Sequence, residues 1–495
     1  MNYAEILRFA APELLVSLTA LVVLAADLIS LRGVEIRLRY GIGAMLSCAG
    51  CLIAIGWLLA MPQDANFGEG MLVVNSLTRI VKIALLATAC IALLLTVETQ
   101  VTAHVGEYFA LILFGLTGMM FLVSTEDILM LFVALELSSL SLYILTAFDK
   151  SDRLSTEAAL KYFLFGGMSA AFTLFGLSLL YGLSGSTNLN QIAAAIHNPL
   201  EPILLLAIVM TIAGFGFKVA AAPFHWWAPD VYQAAPIPST ALIASTSKIA
   251  GFFILARVVM IGFKGAGGSG AWGHFEPGWM LALALVAALS MLVGNLGAIV
   301  QSSVRRLLAY SAVAHAGYML LAVLTNRSAG LAPLVYYAVT YGLATLGSFG
   351  VILAVQRWTG GERLTDFAGL SRRAPLLSVC MMVFMLSLAG IPPLAGFFGK
   401  FYVFSSVLQA SGAGPLGLLW LVVLALMLSA VSLYYYLKVL KQIYVANPPP
   451  APFQRAGFPV LQATVCLLAI AVFVLGCAPE WFIRQLVSAV NLAGL

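Results

Sequence analysis

The stretch at positions 214–251, GFGFKVAAAPFHWWAPDVYQAAPIPSTALIASTSKIAG, decides how this chain is read. Two lysines, Lys218 and Lys248, stand among residues that otherwise suit lipid or a protein core, and Pro223 and Pro229 interrupt the apolar run between them. A lysine at the centre of a membrane helix costs about 2.5–3.5 kcal/mol on insertion scales, so an idle one is rare. Proline removes a backbone donor and frees a carbonyl, which a membrane helix tolerates where protein or water satisfies that carbonyl again. A broken helix flanked by buried lysines points to a protonatable, partly hydrated path.

Composition supports the same reading. Hydrophobic residues make up 62% of the 495 positions and charged residues 9%, with a mean hydropathy of +1.02. Soluble domains are about one quarter charged, so the fold class expected is an all-α polytopic membrane protein whose main solvent is the lipid bilayer. The net charge of +5 does not imply nucleic acid, because no basic run is long enough to cover phosphates. The six cysteines are scattered through apolar segments and do not form a secreted disulfide framework. Cys48 and Cys51 spell CxxC, but the flanks are apolar and no second pair follows, so small-residue helix packing is the expected role. Glu5 and Glu13 stand where a signal peptide would carry its basic and apolar regions.

A spanning helix needs about 20 mostly apolar residues. Working outward, spans are expected near 12–31, 39–61, 75–96, 105–124, 127–147, 158–184, 202–222, 237–262, 278–300, 304–324, 331–356, 374–409, 416–446 and 458–477. The 374–409 run is too long for one straight crossing and contains Gly390-Ile391-Pro392-Pro393, so it is expected to be a second broken helix. Arg32, Arg37, Arg39, Lys150, Arg153, Arg305, Arg306, Arg357, Arg363, Arg372, Arg373, Lys441 and Arg455 fall on one side. Arg8, Arg79, Lys264, Arg327 and Arg484 fall on the other, which places the odd-numbered loops in the cytoplasm and both termini outside.

Common cofactor motifs do not account for the chain. Gly265-Ala266-Gly267-Gly268-Ser269-Gly270 satisfies the spelling GxGxxG, but it joins two membrane spans, so a flexible outer loop is expected rather than a nucleotide site. There is no HExxH, Walker lysine, haem CxxCH or nucleophile elbow, and His104, His197, His225, His274 and His315 show no metal-ligand spacing.

The polar residues inside apolar runs are the candidate sites. Glu136 lies about 15 Å from either end of its helix, so it is protonated or paired, with Lys218 the partner expected. Lys218 lies near an interface if its helix ends by 222 and mid-membrane if the segment continues beyond Pro223. Lys248 sits mid-span beside Ser245, Thr246 and Ser247, hydroxyls able to hold water around an ammonium. Lys400 follows Pro393 by seven residues, so each broken helix carries a lysine close to its break, as in an internally repeated transporter. Lys161 is an interfacial anchor or a relay residue, His225 lines the broken segment or caps a loop, and His315 relays protons or bonds a neighbouring helix. Lys438 is expected to be an interfacial anchor.

The segments ALELSSLSLYIL, KYFLFGGMSAAF, KVAAAPFHWWAPDVYQAAPIPSTA, RRLLAYSAVAHAGYML and SLAGIPPLAGFFGKFYVF resemble the antiporter-like membrane subunits of proton-pumping NADH:quinone oxidoreductase, respiratory complex I. The resemblance covers most of 105–445 and is nearest to the N-type branch, because GKFYVF carries Lys400 where the M-type sibling is expected to carry glutamate. It implies fourteen helices with two inverted five-helix repeats, at 105–262 and 278–446, between N-terminal helices at 1–104 and a C-terminal helix at 447–495. It implies Glu136 and Lys218 as a coupled pair, Lys248 as central relay, Lys400 as second-half relay, and Lys161 at the family lysine near the start of its helix. It further implies no cofactor in this chain, with NADH, FMN, iron–sulfur clusters and quinone held by partner subunits. Those partners would be the other membrane-arm subunits and, through them, the peripheral redox arm, in a bacterial inner membrane. Two other readings stay open: a subunit of a multisubunit cation/proton antiporter or membrane-bound hydrogenase, and a stand-alone secondary transporter whose lysines bind an anion.

Overall fold

The structure, a computed structural model, describes residues 3–61, 63–196, 200–325, 328–410, 417–448 and 457–493. His197, Arg327 and Arg455 therefore lie outside the described residues. The first helices are α1 (Tyr3–Phe9), α2 (Ala11–Ile29), α3 (Ile36–Ala60) and, after a small hairpin of β1 (Ala65–Phe67) and β2 (Leu72–Val74), α4 (Ser76–Leu94). There follow α5 (Val105–Val123), α6 (Ile128–Thr146), α7 (Arg153–Ser184), α8 (Leu189–Ala194), α9 (Pro202–Lys218), α10 (Trp227–Ala234), α11 (Ile237–Ala244) and α12 (Thr246–Arg257). A second hairpin, β3 (Ser269–Ala271) and β4 (His274–Glu276), precedes α13 (Trp279–Ile299), α14 (Val304–Val323) and α15 (Leu331–Thr359). The chain closes with α16 (Leu370–Arg373), α17 (Pro375–Ala389), α18 (Ala395–Ala410), α19 (Leu419–Tyr444), α20 (Pro459–Cys477) and α21 (Pro479–Leu492).

Local chemistry explains where these helices start and stop. Asn75 and Thr78 form a capping box for α4, Asp127 accepts from Leu129 and Met130 at the start of α6, and Ser303 accepts from Arg306 at the start of α14. Proline opens α2, α9, α11, α17, α20 and α21, where its missing N–H would have been unpaired anyway.

Among the described residues twelve helices, with Ile237–Gly262 counted as one, are long and apolar enough to cross a membrane, and the shorter apolar helices Pro202–Lys218 and Pro375–Ala389 begin the two broken crossings. This makes a fourteen-crossing membrane protein. Backbone bonds sort the loops into two ends. Glu126 N donates to Gly70 O, Leu189 N to Glu126 O and Ile128 N to Thr187 O at one end. Val304 N donates to Glu362 O, Leu364 N to Ser302 O and Gly369 N to Gln442 O at the other. Each cluster joins loops separated by an even number of crossings. Two sets of five follow the first three crossings, and the fourth member of each set is broken. Five is odd, so the second set enters from the opposite end, which is the inverted repeat.

The breaks differ from the expected spans in detail. α9 stops at Lys218 rather than near 222, in a Schellman turn: Ala221 N donates to Gly216 O, and Ala220 N to Phe217 O. Ala220 occupies the left-handed position with φ 56°, where glycine is the usual residue. The Trp227 indole N–H also donates to Phe217 O, 3.0 Å, so the terminal carbonyl that the break frees is satisfied by protein. Pro223 lies in the break and Pro229 inside α10. The expected single helix 237–262 is interrupted at Ser245 (φ −116°, ψ −77°) and ends in a π turn over Val258–Gly262. In the second break α17 ends at Gly390 (φ 88°), and α18 resumes at Ala395. The GxGxxG segment is loop only over 265–268: Ser269 and Gly270 begin β3, and Gly270 O accepts from the Trp420 indole at 3.1 Å.

Helices α11, α12, α14 and α15 are enclosed, whereas α2, α7 and α20 turn most of their apolar surface outward to lipid or neighbours. The N-terminal helices are pinned by a pair that the sequence reading did not single out. Lys82 of α4 and Glu13 of α2 meet at 2.6 Å with both side chains wholly buried, and neither has another hydrogen-bond partner. Removing one member of such a pair strands a charge and costs about 3–5 kcal/mol, whereas replacing both with apolar residues is often neutral. Lys82→Met should therefore lower the thermal midpoint of the purified assembly sharply, and Glu13→Leu combined with Lys82→Met should restore most of it. Equal stability of the single variant and the parent would contradict this role.

Candidate functional site

Lys218, Lys248, His315 and Lys400 are 6%, 2%, 2% and 5% exposed, yet each has a polar partner. An ammonium deep in a helical core needs acceptors, and each lysine finds them differently. Lys218, the last residue of α9, donates to Ser138 Oγ and Ser139 Oγ of α6, both at 3.0 Å. Glu136, expected as its direct partner, forms no ion pair with it among the described residues. Its Oε1 lacks a hydrogen-bond partner, and the side chain is half-buried beside exposed Val133 and Leu137. The two serines that follow the glutamate receive the lysine instead.

The Lys218 stem packs where a Cβ on Gly251 would lie, 3.5 Å from its Cγ. Gly251 is one turn beyond Lys248 on α12, so these two lysines are neighbours across a glycine notch. Lys248 Nζ donates to Ala312 O of α14 at 2.6 Å and lies 5.5 Å from the centre of the Tyr341 ring. The hydroxyls expected around Lys248 are used elsewhere: Ser245 Oγ donates to Ala241 O, 2.6 Å, and Thr246 Oγ1 to Thr88 Oγ1 of α4, 3.0 Å.

One turn beyond Ala312, His315 continues the row. Its Nδ1 contacts Tyr337 Oη at 2.8 Å and its Nε2 contacts Tyr436 Oη at 3.0 Å, while Tyr436 Oη also meets Ser311 Oγ at 2.5 Å. The ring lies 4.9 Å from Tyr341 and 5.8 Å from Tyr318. Lys400 stands 5.2 Å from the centre of the Tyr318 ring, and its Nζ donates to Ser429 Oγ at 2.8 Å and to Ala389 O at 2.9 Å. Ala389 ends α17, so the lysine of α18 caps the carbonyl that the break in its own crossing exposes. The four groups thus follow one another: Lys218 and Lys248 flank the Gly251 notch, the Tyr341 ring lies against Lys248 and His315, and the Tyr318 ring lies against His315 and Lys400.

The other candidates lie beside this row. Lys161 is part-exposed and binds Glu157 at 2.9 Å and Asp230 of α10 at 2.8 Å. Asp230 also takes Arg306 of α14 at 2.7 Å, so this trio clamps α7, α10 and α14 together. His225 lies in the first break itself, buried, stacked at 5.1 Å on Trp226, with no partner for Nδ1. Lys438 donates to Ile299 O and Gln301 O, both at 3.3 Å, at the end of α13. Near the other side of α10, Arg305 donates to Tyr232 O and Ala235 O and borders a cavity of about 520 Å³ lined also by Gln233, Arg357 and Glu362.

Sequence reasoning missed the tyrosines at 318, 337, 341 and 436, which read as ordinary aromatic packing, and the Glu126–Arg257 pair, also buried. A usable signal for that pair was an arginine inside the 237–262 run. Among the described residues no group of three His, Cys, Asp or Glu side chains could hold a metal ion. The row's side chains can accept and donate protons.

Residues 125–431 match the family described as NADH:quinone oxidoreductase/Mrp antiporter, TM. A protein of Acidobacterium capsulatum, NADH-quinone oxidoreductase subunit N 2, is 50% identical over 495 residues, covering 98% of this chain and 99% of that protein. A chain of respiratory complex I from Thermus thermophilus with bound aureothin is 33% identical at a TM-score of 0.77, covering 96% of this chain and 99% of that one. A chain of the Mrp complex from a Dietzia species shares the fold, with a TM-score of 0.82 at 20% identity and coverage of 98% and 97%. The matched range takes in both broken crossings, and the chain belongs to the NADH:quinone oxidoreductase/Mrp antiporter family of membrane subunits.

Proposed function

We propose that this chain is the N-type proton-translocating membrane subunit of an NADH:quinone oxidoreductase and moves protons along the row Lys218, Lys248, His315 and Lys400. The observation that carries this reading is the succession of four buried titratable groups: Lys218 and Lys248 flank the Gly251 notch, Lys248 and His315 share the Tyr341 ring, and His315 and Lys400 share the Tyr318 ring. The 50% identity over the whole length to a subunit of that name supports the choice of complex. Glu136 tunes the charge on the Lys218 end through Ser138 and Ser139. Lys161 holds α10 in place through Asp230, and His225 lines the break. The 105–262 and 278–446 segments are the two repeats, with 1–104 and 447–495 as flanking helices.

Unit charges close together in a low-dielectric core repel strongly, so protonation of one lysine promotes release from the next. The cavity beside Arg305, lined also by Asp149, Asp152 and Glu362, offers polar groups and room for water on an uptake route. NADH, FMN, iron–sulfur clusters and quinone belong to partner subunits, and conformational or electrostatic changes there drive the row. The membrane is the bacterial inner membrane, with both termini outside, a placement supported by the lysine and arginine bias of the loops.

Orientation is tested by labelling single cysteines with an impermeant thiol reagent applied to intact cells. A cysteine replacing exposed Arg8 should react, and cysteines replacing exposed Lys150 or Arg372 should not; the reverse pattern would overturn the assignment. The relay is tested by Lys400→Arg, which keeps the charge but removes the ability to release a proton near neutral pH. Proton uptake by membrane vesicles oxidising NADH should fall about tenfold or more with the complex still assembled. Unaltered uptake and quinone reduction would leave Lys400 a packing residue.

A further inference from the structure

Asn295 of α13 is wholly buried and uses both ends of its amide. Its Nδ2 donates to Met291 O at 2.7 Å and to Tyr318 Oη at 3.0 Å, and its Oδ1 accepts from Tyr435 Oη at 3.2 Å. A backbone carbonyl only accepts, so Met291 O fixes which end of the amide carries the nitrogen. One side chain thereby joins α13 to α14 and α19, away from the row of lysines but touching residues on both sides of it. Tyr318 is the ring beneath the Lys400 ammonium. Tyr435 abuts Tyr436 at 4.5 Å, and Tyr436 contacts His315. A neutral amide neither gains nor loses a proton in the physiological range, so what Asn295 contributes is placement.

We propose that Asn295 is a positioning residue for the proton step at Lys400, holding the Tyr318 ring against the ammonium through the hydrogen bond to its hydroxyl. This rests on the relay reading above. An ammonium over a desolvated ring gains about 0.5–2 kcal/mol, and only while the ring face stays turned toward it. Tyr318 sits between His315 and Lys400, so a ring free to turn would change both the charge environment of the lysine and its spacing from the histidine. Leucine at 295 would preserve bulk and lose this control.

The test is a double-mutant cycle in the intact complex, read as proton uptake per NADH oxidised in membrane vesicles. Asn295→Leu should lower uptake about two- to thirtyfold, the range set by the cation–π contact. Tyr318→Phe keeps the ring and removes the hydroxyl through which Asn295 acts, so it should show a similar loss, and the double variant should be no worse than either single one. Tyr435→Phe, which removes one oxygen, should show a smaller loss that likewise disappears in the Tyr318→Phe background. Uptake unchanged by Asn295→Leu, or a loss that adds in full to that of Tyr318→Phe, would overturn the proposal, the second by showing a packing role. If Asn295→Leu fails to assemble, the Tyr435→Phe and Tyr318→Phe cycle decides by the same rule. Lys400→Ala separates the two readings: normal pumping there removes the relay, while lost pumping with a silent Asn295→Leu removes only the positioning role.

Discussion

An ammonium group cannot sit in an apolar core without an acceptor, and much of this molecule is arranged around three that do. Lys400 takes the carbonyl of Ala389 exposed by the break in its own crossing, together with Ser429. Lys248 takes Ala312 O from the neighbouring helix, and Lys218 takes two serine hydroxyls at the point where α9 stops. At the second break the helix end and the buried lysine are one feature, since the break exposes the backbone oxygen that Lys400 takes; at the first, Trp227 takes the freed carbonyl and Lys218 relies on serines. The enclosed helices α11, α12, α14 and α15 keep water and lipid headgroups away from these contacts.

Between the lysines the connecting groups are aromatic hydroxyls and a histidine. Tyr341 lies against both Lys248 and His315, and Tyr318 lies against both His315 and Lys400. Outside the row, ion pairs act as clamps. Asp230 ties α10 to α7 and α14, Glu126 and Arg257 close the far end of α12, and Glu13 with Lys82 locks the N-terminal helices. Thr88 reaches from that N-terminal group to Thr246, two residues from Lys248. The clamps have clear reasons to be rigid, and the row has clear reasons to change charge.

The crossings were legible because long apolar runs have few other uses, and Pro392-Pro393 marked the second break at its true place. Lys218, Lys248 and Lys400 stood out for the same reason that they matter, the expense of a charge in lipid. The sequence placed Glu136 beside Lys218, and the two groups interact electrostatically, but spacing alone did not show that Ser138 and Ser139 take the hydrogen bonds of the lysine. The end of α9 was placed about a turn too late because alanines 220–222 favour helix, and tertiary packing overrides that preference. The interruption at Ser245 was silent, since serine and threonine suit both helix and kink. Tyr318, Tyr337, Tyr341 and Tyr436 could not be picked from other aromatic residues in apolar helices, because their role lies in what their hydroxyls and faces meet across the fold.

Lys248 lies between the Gly251 notch that receives Lys218 and the Ala312–His315 turn of α14, so the proposed row passes from the first half to the second through it. The most direct measurement is proton uptake per NADH oxidised by the reconstituted complex carrying Lys248→Met, a change that keeps length and removes the titrating group. The account predicts an assembled complex whose uptake is lost or greatly reduced. Uptake equal to that of the unaltered complex would contradict a proton row through the centre of this chain.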